Sequence, residues 1–204
     1  HFRLLGFAPF DSGVTIDDVV LAVPADAKDD AAVTTEDDAL DVPALDGVLA
    51  NDPAGSGGGS LGVIRFDSIS VQGATINMRA DGSYIYDPTG AVKLNMLAGN
   101  ASTVDTFTYT IRDDTGSEDT ATVFITVNGV NDAPVVGNPI PDQDAVENAA
   151  FSFTFAADTF HDPDVGDQLT YTAKLSDGSD LPAWLNFVSE TRTFAGTPAS
   201  GDSG

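Results

Sequence analysis

The sequence predicts an all-β chain folded as tandem β-sandwiches. Apolar and polar residues alternate with a period of two along most of its 204 residues, whereas no window shows the period of a helix. Clusters of Gly, Asp, Asn and Pro, which favour turns, separate these alternating segments. Several short strands at such spacing are typical of sandwich folds. We therefore expect antiparallel strands packed as pairs of sheets.

The clearest hairpin is predicted over residues 105–127. Phe107, Tyr109 and Ile111 alternate with threonines, and a second alternating run follows at 121–127 after the turn cluster DDTGSED. Further strands are predicted at 74–78, 84–86, 151–155 and 169–175. The glycine-rich segment 51–60 is expected to be a loop inside the first sandwich, because the strands after it are needed to complete that sandwich.

The charge of the chain is strongly acidic. Asp and Glu number 32 against 8 Lys and Arg, for a net charge of −24. Repulsion of this size argues against binding to nucleic acid or to an anionic membrane, and no apolar run approaches the roughly 20 residues of a membrane span. Nearly all the acids are Asp, whose short carboxylate suits turns and metal ligation from loops. The absence of cysteine excludes thiolate zinc sites.

The stretch VNGVNDAP at 127–134 is predicted to join two modules. A strand ends near Val127, and Pro134 then fixes φ and prevents ladder pairing. Between them, Asn131 and Asp132 offer oxygen atoms that can hold a hard cation at the joint. We expect remnant strands of a preceding β module at 1–23, a sandwich at 24–132 and a second sandwich at 133–204 that is incomplete at its C-terminal end.

Two resemblances support this division. Residues 31–134 resemble the VCBS and tandem cadherin-like repeats of large bacterial adhesins in the segments TTEDDAL (34–40), GVLAND (47–52), DGSYIYDP (81–88), DTFTYTIRDDTG (105–116) and ATVFITVNGVNDAP (121–134). Residues 135–204 resemble the dystroglycan-type cadherin-like domain in HDPDVGD (161–167) and LPAWLNF (181–187), where Trp184 is expected to plug the core. The resemblances imply tandem Ig-like or cadherin-like sandwiches.

A calcium site is predicted at the joint. Three acids around Gly166 in HDPDVGD can converge several oxygens on one cation. The resemblance implies that such joints also take a glutamate from the upper domain and Asn and Asp from the linker. The predicted Ca²⁺ ligands are therefore Glu36, Asn131, Asp132, Asp162, Asp164 and Asp167. The competing interpretation is that these acids only cap turns and face solvent.

Two departures from the resembled pattern lower the expected number of metal ligands. Gly129 stands where such linkers often carry a further Asp. Asp52 is followed by Pro53 and Ala54, although the repeats usually continue with a second acid, so no cation site is expected in that loop.

No enzyme activity is predicted. GDSG at 201–204 matches the nucleophile motif of chymotrypsin-like proteases, but a triad needs a base and an orienting acid from a matching fold. His1 and His161 are the only histidines, and His161 lies in an acidic turn. We expect no catalytic residues.

The sequence thus indicates a calcium-stabilised extension and adhesion segment of a secreted bacterial surface protein. The expected location is extracellular, and the expected partners are neighbouring domains of the same long chain, other copies, or surface glycans. One alternative is a glycan-binding accessory segment of a larger secreted enzyme, which an exposed row of aromatics such as Tyr84 and Phe124 would favour. The other is a filament subunit completed by strand exchange, with residues 2–10 as a donor strand.

Overall fold

The computed structural model describes residues 23–55 and 59–202, and it confirms the predicted all-β fold class. These residues form twelve strands and no helix. The strands are β1 (Asp30–Thr35), β2 (Leu40–Val42), β3 (Leu61–Phe66), β4 (Thr75–Met78), β5 (Tyr84–Asp87), β6 (Ser102–Asp113), β7 (Glu118–Asn128), β8 (Val135–Val136), β9 (Phe151–Thr154), β10 (Phe160–His161), β11 (Leu185–Val188) and β12 (Thr193–Gly196). The strands expected before residue 23 lie outside the described residues.

Strands β1 to β7 form a first sandwich of two sheets. One sheet has the order β1-β7-β6-β3 and the other has the order β2-β5-β4. The predicted hairpin is the antiparallel pair β6–β7, in register from Ser102 opposite Asn128 to Arg112 opposite Glu118. Strand β1 instead runs parallel to β7. Because β1 is parallel to β7, both strands end at the same side of the sandwich.

Alternating side chains of the two sheets meet in one core. Phe107 contacts Tyr84 and Tyr86 across the layers, with ring centroids 5.6 and 6.4 Å apart. Removal of such aromatic and aliphatic surface from water is the main force that holds the sheets together. Tyr84 is only 3% exposed, so it does not belong to an exposed row of aromatics of the kind that would favour glycan binding. Its register opposite Met78, another buried side chain, turns the ring inward.

The buried carboxylate of Asp105 connects the core to the loop that contains Ser70 and Gln72. Asp105 occupies an inward position of β6 and is fully buried. It accepts hydrogen bonds from the Tyr86 hydroxyl (2.7 Å), the Gln72 and Thr106 amides (both 2.8 Å) and the Ser70 hydroxyl. Four donors around one carboxylate offset the cost of removing its charge from water.

Strands β8 to β12 form a second, smaller unit. It contains the pair β10-β8 and the sheet β11-β12-β9. Phe155 lies at its centre, 5.7 Å from Phe160, 5.4 Å from Tyr171 and 6.1 Å from Phe187 between ring centroids. This aromatic cluster is the core of the unit.

Two expectations for this unit are wrong. Residues 169–174 keep the alternating burial of a strand and Leu175 is exposed, but the segment pairs with no described strand and is assigned none. Trp184 is only partly buried. Its ring meets the edge of Phe151 at 6.4 Å, so it supports the sheet from one side and does not plug the core.

Candidate metal centre

The candidate site lies where β1 and β7 end together. Thr35 is in register with Asn128, and the next amide, that of Glu36, donates to the Asn128 carbonyl at 3.1 Å. The parallel pair therefore delivers Glu36 to the start of the linker. One carboxylate oxygen of Glu36, Oε1, accepts the Val130 amide at 2.8 Å. Glu36 is 1% exposed.

The linker passes too close to the first sandwich for a side chain at Gly129. A Cβ there would lie 2.2 Å from the Ala98 carbonyl oxygen. The Gly129 amide also donates to the Ala101 carbonyl at 2.9 Å. This close approach gives a physical reason why the further acid seen in similar linkers is missing here.

The loop after β10 brings a second set of acids to the joint. The Asp132 amide donates to Oδ2 of Asp164 at 3.0 Å, and the Asp164 amide donates to Oδ1 of Asp162 at 3.1 Å. The Val165 amide donates to the Met96 carbonyl of the first sandwich at 3.1 Å. These bonds fix the loop against the linker and against the turn at 91–97.

Two overlapping groups of carboxylates result. Glu36, Asp132 and Asp164 each place one oxygen within 4.8 Å of the others, and Asp162, Asp164 and Asp167 do the same. Asp164 belongs to both groups. Such convergence of oxygens from separate segments is what a hard cation requires.

Asn131 lies next to these groups in the linker. It is exposed, and its side-chain amide donates to the Asp132 carbonyl at 2.8 Å. Asp167 is exposed at the outer edge of the second group. The five predicted acids thus occupy one region, with Glu36 and Asp164 most deeply buried, and Asn131 precedes one of them in the linker.

The electrostatics of the site favour a bound cation. Oε2 of Glu36 and Oδ1 of Asp164 are buried and have no hydrogen-bond partner in the described residues. Burial, followed by the charges of Asp132 and Asp164, raises the pKa of Glu36. Desolvation and then the charge of Asp164 raise the pKa of Asp132. An unpartnered buried acceptor costs about 1–3 kcal/mol, and a divalent ion among these acids would offset that cost.

A second acidic cluster, which sequence reasoning missed, lies at the opposite end of the first sandwich. The Tyr109 hydroxyl is 2.8 Å from the Lys28 carbonyl, 3.0 Å from Oδ2 of Asp30 and 3.1 Å from Oδ2 of Asp52. Burial, together with the charge of Asp52, raises the pKa of Asp30 to about 6. The Lys28 amide also donates to Oδ1 of Asp52 at 2.7 Å.

The acids of the β6–β7 turn have local partners. Asp113 accepts the Thr115 amide at 3.0 Å and the Ser117 amide at 2.8 Å, as a turn cap does. Glu118 pairs with Arg65 at 2.7 Å and with Arg112. His161 is exposed in β10, paired with Val135. None of these contacts assembles a base with a nucleophile in the described residues.

Comparison with known proteins agrees with the fold. Residues 22–129 match the family model of the bacterial cadherin-like domain, and residues 133–204 match the one described as Putative Ig domain. No curated protein matches the chain. Domains of these two kinds are in general extracellular, structural and non-enzymatic, and cadherin-like domains in general bind Ca²⁺.

Two solved cadherin structures are similar at low identity. Drosophila N-cadherin EC1-4 is 15% identical with a TM-score of 0.47, over 84% of this chain and 40% of that one. Protocadherin gamma B2 extracellular cadherin domains 3–6 is 16% identical with a TM-score of 0.34, over 90% and 46% respectively. The chain thus spans less than half of either structure. No helix among the described residues is long and apolar enough to cross a membrane. The match over residues 22–129, more than half of the sequence, shows that the chain belongs to the bacterial cadherin-like domain family.

Proposed function

We propose that the chain is a calcium-stabilised extension and adhesion segment of a secreted bacterial surface protein, with Ca²⁺ at the Glu36–Asp132–Asp164 group. The observation that carries this proposal is the pair of buried, unpartnered oxygens, Glu36 Oε2 and Asp164 Oδ1. They come from opposite sides of the linker. A buried acceptor without a donor is rare in proteins, and an ion supplies the missing partner.

The donor set favours calcium over other divalent ions. Ca²⁺ takes about six to eight oxygens in flexible geometry, whereas Mg²⁺ demands a near-octahedral shell and keeps several waters. Five carboxylates and the Asn131 amide supply oxygens from irregular backbone, which suits the more tolerant ion. The five acids are Glu36, Asp132, Asp162, Asp164 and Asp167.

A bound ion would stiffen the joint. Glu36 is fixed to the first sandwich through the Asn128 carbonyl, and Asp164 belongs to a loop of the second unit. Without an ion, the hydrogen bonds that oppose bending include those from Val165 to Met96 and from Asp132 to Asp164. With Ca²⁺ bound to both sides, bending would break metal–ligand bonds. This role is structural and needs no catalytic residue.

The proposal also includes an extracellular location and neighbouring domains of the same chain as partners. Calcium at millimolar levels outside cells would keep even a weak site filled. The net charge of −24 disfavours nucleic acid and anionic membranes. The partners we propose are neighbouring domains of the same long chain.

Calorimetry tests the proposal directly. We expect calcium added to chelator-treated protein to bind with measurable heat and to raise Tm, since binding at 100 times Kd adds about 2.7 kcal/mol of stability. Glu36→Gln removes a buried ligand charge and should weaken binding by about tenfold or more. Glu190→Gln removes an equal charge from an exposed position and should leave binding unchanged. Equal affinity for both variants, or no calcium effect on Tm, would contradict the site.

A further inference from the structure

Residues 96–101, here called the joint turn, contact both the linker and the second unit, although they contain no acid. The Ala101 carbonyl accepts the Gly129 amide at 2.9 Å, and the Met96 carbonyl accepts the Val165 amide at 3.1 Å. The Ala101 amide donates to the Ala98 carbonyl at 2.7 Å, which closes the turn. The two segments that carry most of the candidate ligands are therefore hydrogen-bonded to a turn that supplies none.

Two glycines let the joint turn and the linker approach backbone to backbone. A Cβ at Gly129 would lie 2.2 Å from the Ala98 carbonyl oxygen and 2.6 Å from the Leu97 carbonyl oxygen. A Cβ at Gly99 would lie 2.9 Å from the Asn131 amide nitrogen and 3.2 Å from the Asn131 Cβ. Neither glycine has a positive φ. The backbone conformation would therefore accept other residues, and it is the lack of space that requires glycine.

The contact at Gly99 affects Asp132, which follows Asn131 in the linker. The Asp132 amide donates to Oδ2 of Asp164 at 3.0 Å, and the Asp132 carboxylate converges with those of Glu36 and Asp164. Glu36 comes from the end of β1, outside the linker. The position of the linker against the joint turn thus determines how far Asp132 lies from Glu36.

A small displacement of the linker is enough to disturb this group. Ordinary contact begins at 3.4 Å, so a methyl group at Gly99, 2.9 Å from the Asn131 nitrogen, would move the turn and the linker apart by about 0.5 Å. Ca²⁺–oxygen distances span only about 2.3–2.6 Å. A shift of this size therefore strains or breaks one metal–ligand bond.

We propose that Gly99 and Gly129 are positioning residues of the calcium site. They let the linker lie against the joint turn, which places Asp132 beside Glu36 and Asp164. This role rests on the proposed function, because it presupposes that calcium binds at the joint. Neither glycine has a side chain to offer the ion, so both act through the linker. The competing explanation is that the two glycines only relieve crowding in the fold, with no specific effect on calcium.

Calcium titration of Gly99→Ala in the full chain tests the role. The three atoms nearest to a Cβ at Gly99 all belong to Asn131, so the strain falls on the linker and not on the core. We expect calcium affinity to fall about tenfold by calorimetry, while Tm of the calcium-free protein stays close to that of the control. The control is Gly90→Ala, because nothing lies within 4 Å of a Cβ there, and it should bind calcium like the wild type.

Gly129→Asp separates the effect of the geometry from that of an added ligand. Similar linkers often carry Asp at this place, and a further carboxylate by itself would raise calcium affinity. The 2.2 Å approach of a Cβ to the Ala98 carbonyl oxygen predicts the opposite, a loss of affinity of about tenfold or more. A higher affinity than that of the wild type would contradict the proposal.

Hydrogen exchange of the Asp132 amide gives a readout without calcium. This amide is bonded to Asp164, so its protection reports how firmly the linker is held. In chelator, we expect exchange at Asp132 to be about tenfold faster in Gly99→Ala than in the wild type, and unchanged in Gly90→Ala. Equal exchange in the two variants would show that the linker does not depend on Gly99.

The remaining outcomes are also decisive. Wild-type calcium affinity in Gly99→Ala would overturn the positioning role and leave the calcium site itself in place. A lower affinity accompanied by a lower Tm of the calcium-free protein than that of Gly90→Ala would show that Gly99 only supports the fold. If the wild type bound no calcium, the proposed function would be wrong, and the positioning role with it.

Discussion

The Asp132 amide donates a 3.0 Å hydrogen bond to Oδ2 of Asp164 and so joins the linker to the loop of the second unit. Oδ1 of Asp164 is buried and has no hydrogen-bond partner among the described residues. One oxygen of this carboxylate fixes the geometry of the linker, and the other is the one that we propose binds a cation.

Removal of Asp164 should loosen the joint more than removal of an aspartate that lies far from the joint. Asp164→Ala deletes both the linker hydrogen bond and the proposed ligand shared by the two carboxylate groups. We expect small-angle scattering in calcium to show a wider range of inter-module angles for this variant. Asp114→Ala removes an exposed charge in the β6–β7 turn and should scatter like the wild type. Equal bending in both variants would mean that net charge governs the joint.

The stability of the calcium-free chain should depend on ionisation of Asp30. Its pKa lies near 6 when folded against 3.8 in the reference state, so the folded state binds more protons and stability falls as pH rises from about 4 to about 6. Asp30→Asn cannot ionise. Its stability relative to the wild type should therefore rise by about 1 kcal/mol between pH 4.5 and pH 7, after allowance for partial exposure.

Urea unfolding at the two pH values measures this difference. The control is Asp41→Asn, which removes an exposed charge of β2 and should show no such pH-dependent gain. A relative stability of Asp30→Asn that stays constant with pH would show that Asp30 is not preferentially protonated in the fold.

Loss of the Asp105 carboxylate should be among the most damaging single changes in the first sandwich. Asp105→Ala leaves the Tyr86 hydroxyl, the Ser70 hydroxyl and the Gln72 amide without their acceptor. We expect a loss of about 3 kcal/mol or more in urea unfolding. Glu118→Ala breaks only exposed ion pairs and should have a much smaller effect. Similar losses of stability in the two variants would mean that the Asp105 carboxylate does not stabilise the core.

A methyl group at Gly196 should destabilise the second unit. A Cβ there would lie 1.8 Å from the Trp184 carbonyl oxygen, so β12 or β11 must shift, at a cost of about 1–3 kcal/mol. Gly90→Ala is the matched control, because nothing lies within 4 Å of its Cβ position. Differential scanning calorimetry should show a lower Tm for Gly196→Ala alone. An unchanged Tm would mean that the two strands are further apart than described.

The strands of the first sandwich were predictable because side-chain alternation there coincides with pairing. Phe107, Tyr109 and Ile111 alternate in the sequence and are all buried in β6. Alternation predicted a strand at 169–175 that the structure does not contain. A strand also needs a neighbouring strand to pair with, and the alternation of side chains does not show whether one is present. The domain boundaries near 24 and 133 stay predictions.

Only part of the candidate metal site could be predicted from the sequence. The acidic patterns of the linker and of HDPDVGD, together with the resemblance, indicated which residues to consider, and the five acids among them lie in one region. The oxygens that lack partners are set by the register of β1 against β7 and by the contact of the Val165 amide with the Met96 carbonyl. Neither contact can be predicted from the residues next to it in the sequence.

The buried Asp105 could have been found from the sequence, because it is an acid at an inward position of β6. Asp30 gave no such signal, since its partners Asp52 and Tyr109 are distant in sequence.

The parallel pairing of β1 and β7 determines how the first sandwich would respond to tension along the chain. The chain enters at the start of β1 and leaves at the end of β7, so a pull on the two ends drags these strands in opposite directions along their common axis. All the paired positions, from Asp30 opposite Val123 to Thr35 opposite Asn128, are then loaded at once in shear. The hydrogen bonds between the two strands must therefore break together, not one after another. In the extension role that we propose, the first sandwich would thereby resist unfolding when its two ends are pulled apart.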